Sequence, residues 1–124
     1  MDDLNRIRYS FHPYNVNTLT QAAGAAALEQ PQYFEACRQT IMETRAWTKA
    51  QLESLGFRVL ESKANFLFAK APGMTGGEYQ KKLRERNILI RYFDQPRIRD
   101  FTRITIGSKA QMEKLIETTK EIWT

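Results

Sequence analysis

The clearest pattern in the chain runs from Phe101 to Ser108, F-T-R-I-T-I-G-S. β-Branched residues alternate there, and Gly107-Ser108 closes the run. Successive side chains of a strand point to opposite faces. Thr102, Ile104 and Ile106 therefore share one face, while Phe101, Arg103 and Thr105 share the other. The isoleucines require a core, which leaves Arg103 mid-strand on the side away from it. A second strand-like run, Ile88 to Phe93, also carries one arginine, Arg91.

The remaining elements follow from periodicity and punctuation. Leu4, Ile7 and Phe11 suggest a short helix end in an otherwise aperiodic stretch to residue 17, and Pro13-Tyr14-Asn15 reads as a loop. Thr18 and Gln21 have capping-box spacing ahead of the alanine-rich run Ala22–Ala27, which Gln30-Pro31 ends. That run is only weakly amphipathic, so the pattern predicts a helix covered on more than one side. From Tyr33 to Leu55, residues Phe34, Cys37, Ile41, Thr44, Thr48, Leu52 and Leu55 recur at helical spacing, and Gly56 is the natural stop. Such a helix is ~34 Å long, enough to join two bodies. Phe57–Leu60 and Asn65–Ala69 read as short strands. A capping box at Thr75 opens a helix to about Arg86, with Tyr79 and Leu83 inward and Asn87 as its C-terminal cap. Ser108 and Gln111 form a further box, opening a last helix with Met112, Leu115, Ile116, Thr119 and Ile122 inward. The order α-α-β-β-α-β-β-α predicts an α+β domain: a small antiparallel sheet of about four short strands with helices on one face.

At 124 residues the chain is read as one domain, with residues 1–32 leading into it. No apolar run reaches the ~20 residues of a membrane-spanning helix, and the acidic Met1-Asp2-Asp3 start is unlike a secretory signal. The single cysteine, Cys37, reads as an inert buried thiol of a reducing compartment. With a single histidine, His12, a metal site is not expected. Roughly half of the net charge of +5 comes from the cluster Arg91, Arg97, Arg99 and Arg103, with only Asp94 and Asp100 between them. This is either a solvated basic rim or a site for an acidic ligand.

Arg103 has the sharper chemistry. A guanidinium is a fixed fork of donors matching a carboxylate or phosphate, and a sheet would hold its base still. The alternative is a sheet-face arginine paired with Asp100 or Asp94. Arg91 has the same two readings, and the pair could converge on one doubly charged group. Ser54, Ser62 and Ser108 lack a histidine partner at a useful spacing. Gly76-Gly77 opens a helix, as a phosphate loop does, but without the rest of a P-loop. Tyr92, Phe93 and Phe101 among arginines suit single-stranded nucleic acid, although Tyr92 and Phe93 point to opposite faces, so one of them belongs to a core.

Three stretches resemble one family: P-Y-N-V-N-T-L-T-Q-A-A at 13–23, A-N-F-L-F at 64–68, and I-L-I-R…R-I-T-I-G across 88–107. Together they are similar to the C-terminal third of histidinol-phosphate aminotransferase, a branch of the fold type I enzymes dependent on pyridoxal 5'-phosphate (PLP). The resemblance implies that Arg103 anchors the substrate phosphate, or a carboxylate in related branches, and that Arg91 assists. It places Asn15 and Asn17 near an interface or the site, and makes Asn65 structural. The PLP lysine, the aspartate on the pyridine nitrogen and the cofactor-phosphate cradle lie upstream of the matched part in the family. None of the lysines present here matches that motif.

The resemblance therefore implies the small C-terminal domain of a longer cytoplasmic, homodimeric enzyme, working beside a large PLP-binding domain. The whole enzyme would exchange an amino group between histidinol phosphate, a phosphorylated amino alcohol, or imidazole-acetol phosphate and glutamate or 2-oxoglutarate. This chain would supply the clamp, bind no PLP or metal, and be inactive alone; no nucleic-acid or membrane partner is expected. The rival readings are an aminotransferase acting on aromatic or other amino acids, a basic nucleic-acid-binding module, and a structural fragment that pairs with a separately encoded large domain.

Overall fold

The computed structural model describes residues 2–10 and 16–123, the side chains of 7–10 excepted. These residues divide into two compact units, one within 1–36 and one within 37–124.

The first unit holds α1 (Asp2–Ser10), α2 (Thr18–Leu28) and the start of α3 (Pro31–Ser54). Its first helix is longer than the weak Leu4 and Ile7 signal suggested; Phe11, His12 and the 13–15 loop lie outside the described residues. The cap of α2 is Asn17 and not Thr18. The Asn17 side chain accepts from Thr20 N–H at 2.9 Å, and Gln21 Nε2 donates to the Val16 carbonyl instead of closing a box. Asparagine and threonine are both good caps, so the sequence alone left the boundary one residue ambiguous. None of the α2 side chains is buried, contrary to the expectation of a covered helix; Leu19 and Leu28 are over 80% exposed. Pro31, read as a helix end, is also the first residue of α3, where its missing N–H costs nothing. Phe34 is exposed and Cys37 half-buried, so the apolar stripe of α3 becomes a core face only at Ile41 and beyond.

In the second unit, the four strands are β1 (Arg58–Val59), β2 (Phe66–Lys70), β3 (Arg91–Tyr92) and β4 (Phe101–Thr105). They pair antiparallel in the order β1-β2-β4-β3. All are trimmed or shifted relative to the apolar runs, because hydrophobic residues such as Ile88, Ile90 and Ile106 pack on the core from extended chain outside the strands. Two helices, α4 (Gly76–Arg84) and α5 (Lys109–Ile122), join α3 on one side of the sheet. The core is Leu67, Ala69 and Ile104 of the sheet against Leu52, Tyr79, Leu83, Met112, Leu115 and Ile116 of the helices. This is the α+β layer the pattern predicts.

The chain's punctuation sets where each element starts. Both remaining capping boxes are complete, at Thr75 with Glu78 and at Ser108 with Gln111. In the first, the Thr75 N–H bond holds the Glu78 carboxyl below its usual range. Gly56 and Asn87 take left-handed backbone, φ 84° and 61°, and end α3 and the turn after α4. Gly76 is dictated by packing: a Cβ there would lie 2.7 Å from the Phe101 carbonyl oxygen. The glycine pair thus serves the approach of α4 to the sheet, with the Tyr92 ring against Gly77.

Candidate functional site

β4 alternates as the sequence predicts. Thr102 and Ile104 are buried on the helix side, while Phe101 and Arg103 are half-buried on the other. That second face also carries Phe66, Phe68 and Lys70 of β2, all half-buried. Register then decides the charge geometry. Arg91 pairs directly with Arg103 across β3 and β4. Directly opposed residues of an antiparallel pair lie on the same face with Cβ atoms about 4.5–5.5 Å apart. The two arginines are therefore brought side by side, which spacing alone did not decide.

Opposed like charges are destabilising, and a carboxylate would be the ordinary remedy. The two nearby in sequence are engaged elsewhere. Asp100 accepts from Lys70 Nζ at 2.7 Å, and that ammonium holds its carboxyl below the usual range. Asp94 accepts from the Tyr92 hydroxyl at 3.4 Å. Burial is the main cause raising the Tyr92 phenol, with Asp94 adding to it. The reading of Arg103 as one half of a pair with Asp94 or Asp100 is thereby removed. Instead the Arg103 guanidinium carbon lies 5.5 Å from the Phe66 ring centroid and 5.8 Å from that of Phe93, and the Arg91 carbon lies 5.3 Å from Phe93. Arg103 Nε is buried and donates to none of the described residues. Leaving such a donor unmet costs roughly 1–3 kcal/mol.

A cavity of about 630 Å³ opens beside the pair. Arg91 and Arg103 line it together with the unpaired run 87–90 and residues of α5, among them Met112 and Lys114. It exists because β3 pairs with β4 over two residues only. Before Arg91, residues 88–90 have no strand partner.

The other predicted residues have structural work. Asn17 caps α2, and Asn15 lies outside the described residues. The Asn65 carbonyl accepts Ile106 N–H at 2.9 Å, extending the β2–β4 ladder. Ser62 Oγ bonds to the Phe66 carbonyl, Ser54 Oγ to that of Gln51, and Ser108 is a cap. Phe101 stacks on Phe68 at 5.0 Å, and the Tyr92 ring packs on Gly77. Arg97 and Arg99 are exposed on the turn before β4. Sequence reasoning missed Phe66 and Phe93 as partners of the arginines. The signal was available for Phe93, which lies two residues after Arg91 and so on its side.

A Schiff-base lysine is made reactive by desolvation or by a neighbouring cation. None of the lysines is buried. Lys49 bonds to Glu61 and Glu53, which raise it above its ordinary value; Lys70 is held by Asp100, and Lys109 lies on the Trp47 ring. The two lysines that are half-buried, Lys49 and Lys70, are thus each tied to a carboxylate.

The family model "aminotransferase class I and II" matches residues 4–118. Histidinol-phosphate aminotransferase 2 of Rhizobium meliloti is 43% identical over 98% of this chain, and histidinol-phosphate aminotransferase 1 of Bordetella parapertussis is 44% identical over 99%. The chain spans 35% of the length of each. Among solved structures, the histidinol-phosphate aminotransferase of Clostridium acetobutylicum superposes with a TM-score of 0.79 at 22% identity, over 98% of this chain and 37% of that one.

Proposed function

The chain belongs to the class I and II aminotransferases, and from that premise we propose that it is the substrate-clamping C-terminal small domain of a histidinol-phosphate aminotransferase. One observation carries the proposal: Arg103 and Arg91 stand opposed on one sheet face, and no carboxylate among the described residues neutralises them. Two forked cations side by side match a phosphate monoester dianion better than a singly charged carboxylate. A partner domain supplies the lysine and the PLP, whose ring is an electron sink for amino-group exchange. The assembled enzyme is read as a cytoplasmic homodimer that moves the amino group of histidinol phosphate to 2-oxoglutarate. This chain binds and orients the phosphate end of the substrate, and is inactive by itself.

The test has two arms on the 124-residue chain. Calorimetric titration with methyl phosphate should show binding that Arg103→Gln weakens strongly and Arg91→Gln weakens less. Incubation with PLP and borohydride should leave no adduct at a single lysine. Phosphate binding that is indifferent to Arg103, or a stoichiometric lysine adduct, would sink the reading.

A further inference from the structure

One ring touches both arginines. Phe93 follows Arg91 by two residues, lies just past the end of β3, and is held there by a turn in which Gln95 N–H donates to its carbonyl at 2.9 Å. Its centroid is 5.3 Å from the Arg91 guanidinium carbon and 5.8 Å from that of Arg103. Phe66 by contrast flanks Arg103 alone. An aromatic face carries a negative quadrupole and no net charge. It therefore attracts both guanidiniums while cancelling neither. A carboxylate in the same place would hold them as well, but would also occupy the charge a ligand needs.

We propose that Phe93 is a positioning residue: its ring holds Arg91 and Arg103 as one pair, pre-set for the two charges of a phosphate monoester. The inference rests on the reading of the arginines as an anion clamp. Without the ring, opposed cations on long, flexible stems drift apart, and each meets an anion singly. A dianion loses most by that change. A monoanion needs only one fork and loses little.

The experiment titrates the 124-residue chain with methyl phosphate at pH 8, where it is a dianion, and with acetate as the monoanion. Phe93→Leu should weaken methyl phosphate about tenfold, in keeping with two lost cation–π contacts, and leave acetate little changed. Phe93→Tyr should restore the preference. Equal loss for both anions, or full methyl-phosphate affinity in Phe93→Leu, overturns the positioning role. Loss in Arg103→Gln beside unchanged binding in Phe93→Leu would leave the clamp standing and remove Phe93 from it. A wild-type chain that binds neither anion overturns the clamp and Phe93's part in it together. Should Phe93→Leu not fold, the wild-type proton spectrum decides. The side-chain protons of Arg91 and Arg103 should both be shifted upfield by the Phe93 ring current, and ordinary shifts at either arginine refute the shared contact.

Discussion

The far face of the sheet has two ends, and the chain treats a cation differently at each. At one end Lys70 meets Asp100 at 2.7 Å, a closed ion pair opposite Phe101 in the register. At the other, Arg103 lies opposite Phe68 on one side and Arg91 on the other, with rings around it and no carboxylate among the described residues. The Phe68–Phe101 stack lies between the two ends. Other half-buried cations are also satisfied from within: Arg45 Nη1 donates to the Ala64 carbonyl at 2.7 Å, and Lys49 to Glu61. The contrast separates cations with an acceptor in the chain from cations flanked only by rings. The first kind donate to a carboxylate or carbonyl of the chain; the second lie against aromatic rings.

This contrast can be tested at its strong end first. Arg103→Gln should lower methyl-phosphate affinity by about a hundredfold, the scale of a bidentate charged contact, with little change in melting temperature. Supplying the missing carboxylate is the sharper variant. Thr105 is exposed and on the same side as Arg103, so Thr105→Glu should convert the open end into a second closed one. Affinity should fall about tenfold while thermal stability rises slightly; a fall in both would mean the arginines do not repel.

Acidity gives the next effect. A phosphate monoester loses its second charge as pH falls through about 6, so binding should weaken there, well above the range where carboxylates titrate. The closed end responds lower and less. Asp100 titrates below its ordinary value of 3.8 because of Lys70. A depressed folded value means the pair's contribution is present above that ordinary value and fades as pH drops through the folded one. Both side chains are more than two-fifths exposed, so Lys70→Met should barely move the melting temperature at neutral pH. It should leave phosphate binding intact, as a thermal melt and one titration will show.

Much of this was legible beforehand for definite reasons. The alternation in Phe101–Thr105 set which side of the sheet Arg103 would take, since one face had to be apolar. The boxes at Thr75 and Ser108 and the stops at Gly56 and Asn87 are closed by bonds spanning five residues or fewer, so local sequence contains them whole. What sequence left open was non-local. Convergence of Arg91 on Arg103 depends on strand register, and the removal of Asp100 from contention depends on Lys70, thirty residues earlier in the chain. The start of β3 was overrun because Ile88 and Ile90 are apolar for packing and not for pairing. The capping of α2 was misplaced because two adjacent residues were both suited to it.

The shortness of β3 has a consequence for how this chain tolerates insertion and deletion. Its phase is set by Asn87, in left-handed backbone after Ile88 N–H has bonded back to the Leu83 carbonyl at 3.0 Å, and by the free residues 88–90. One residue more or fewer in that interval turns Arg91 to the helix side of the sheet and brings its apolar neighbour out. The turn between Phe93 and Phe101 has no such duty and can vary in length. Among natural variants of this domain, the interval from Asn87 to Arg91 should therefore be constant in length, whereas the stretch after Phe93 can drift.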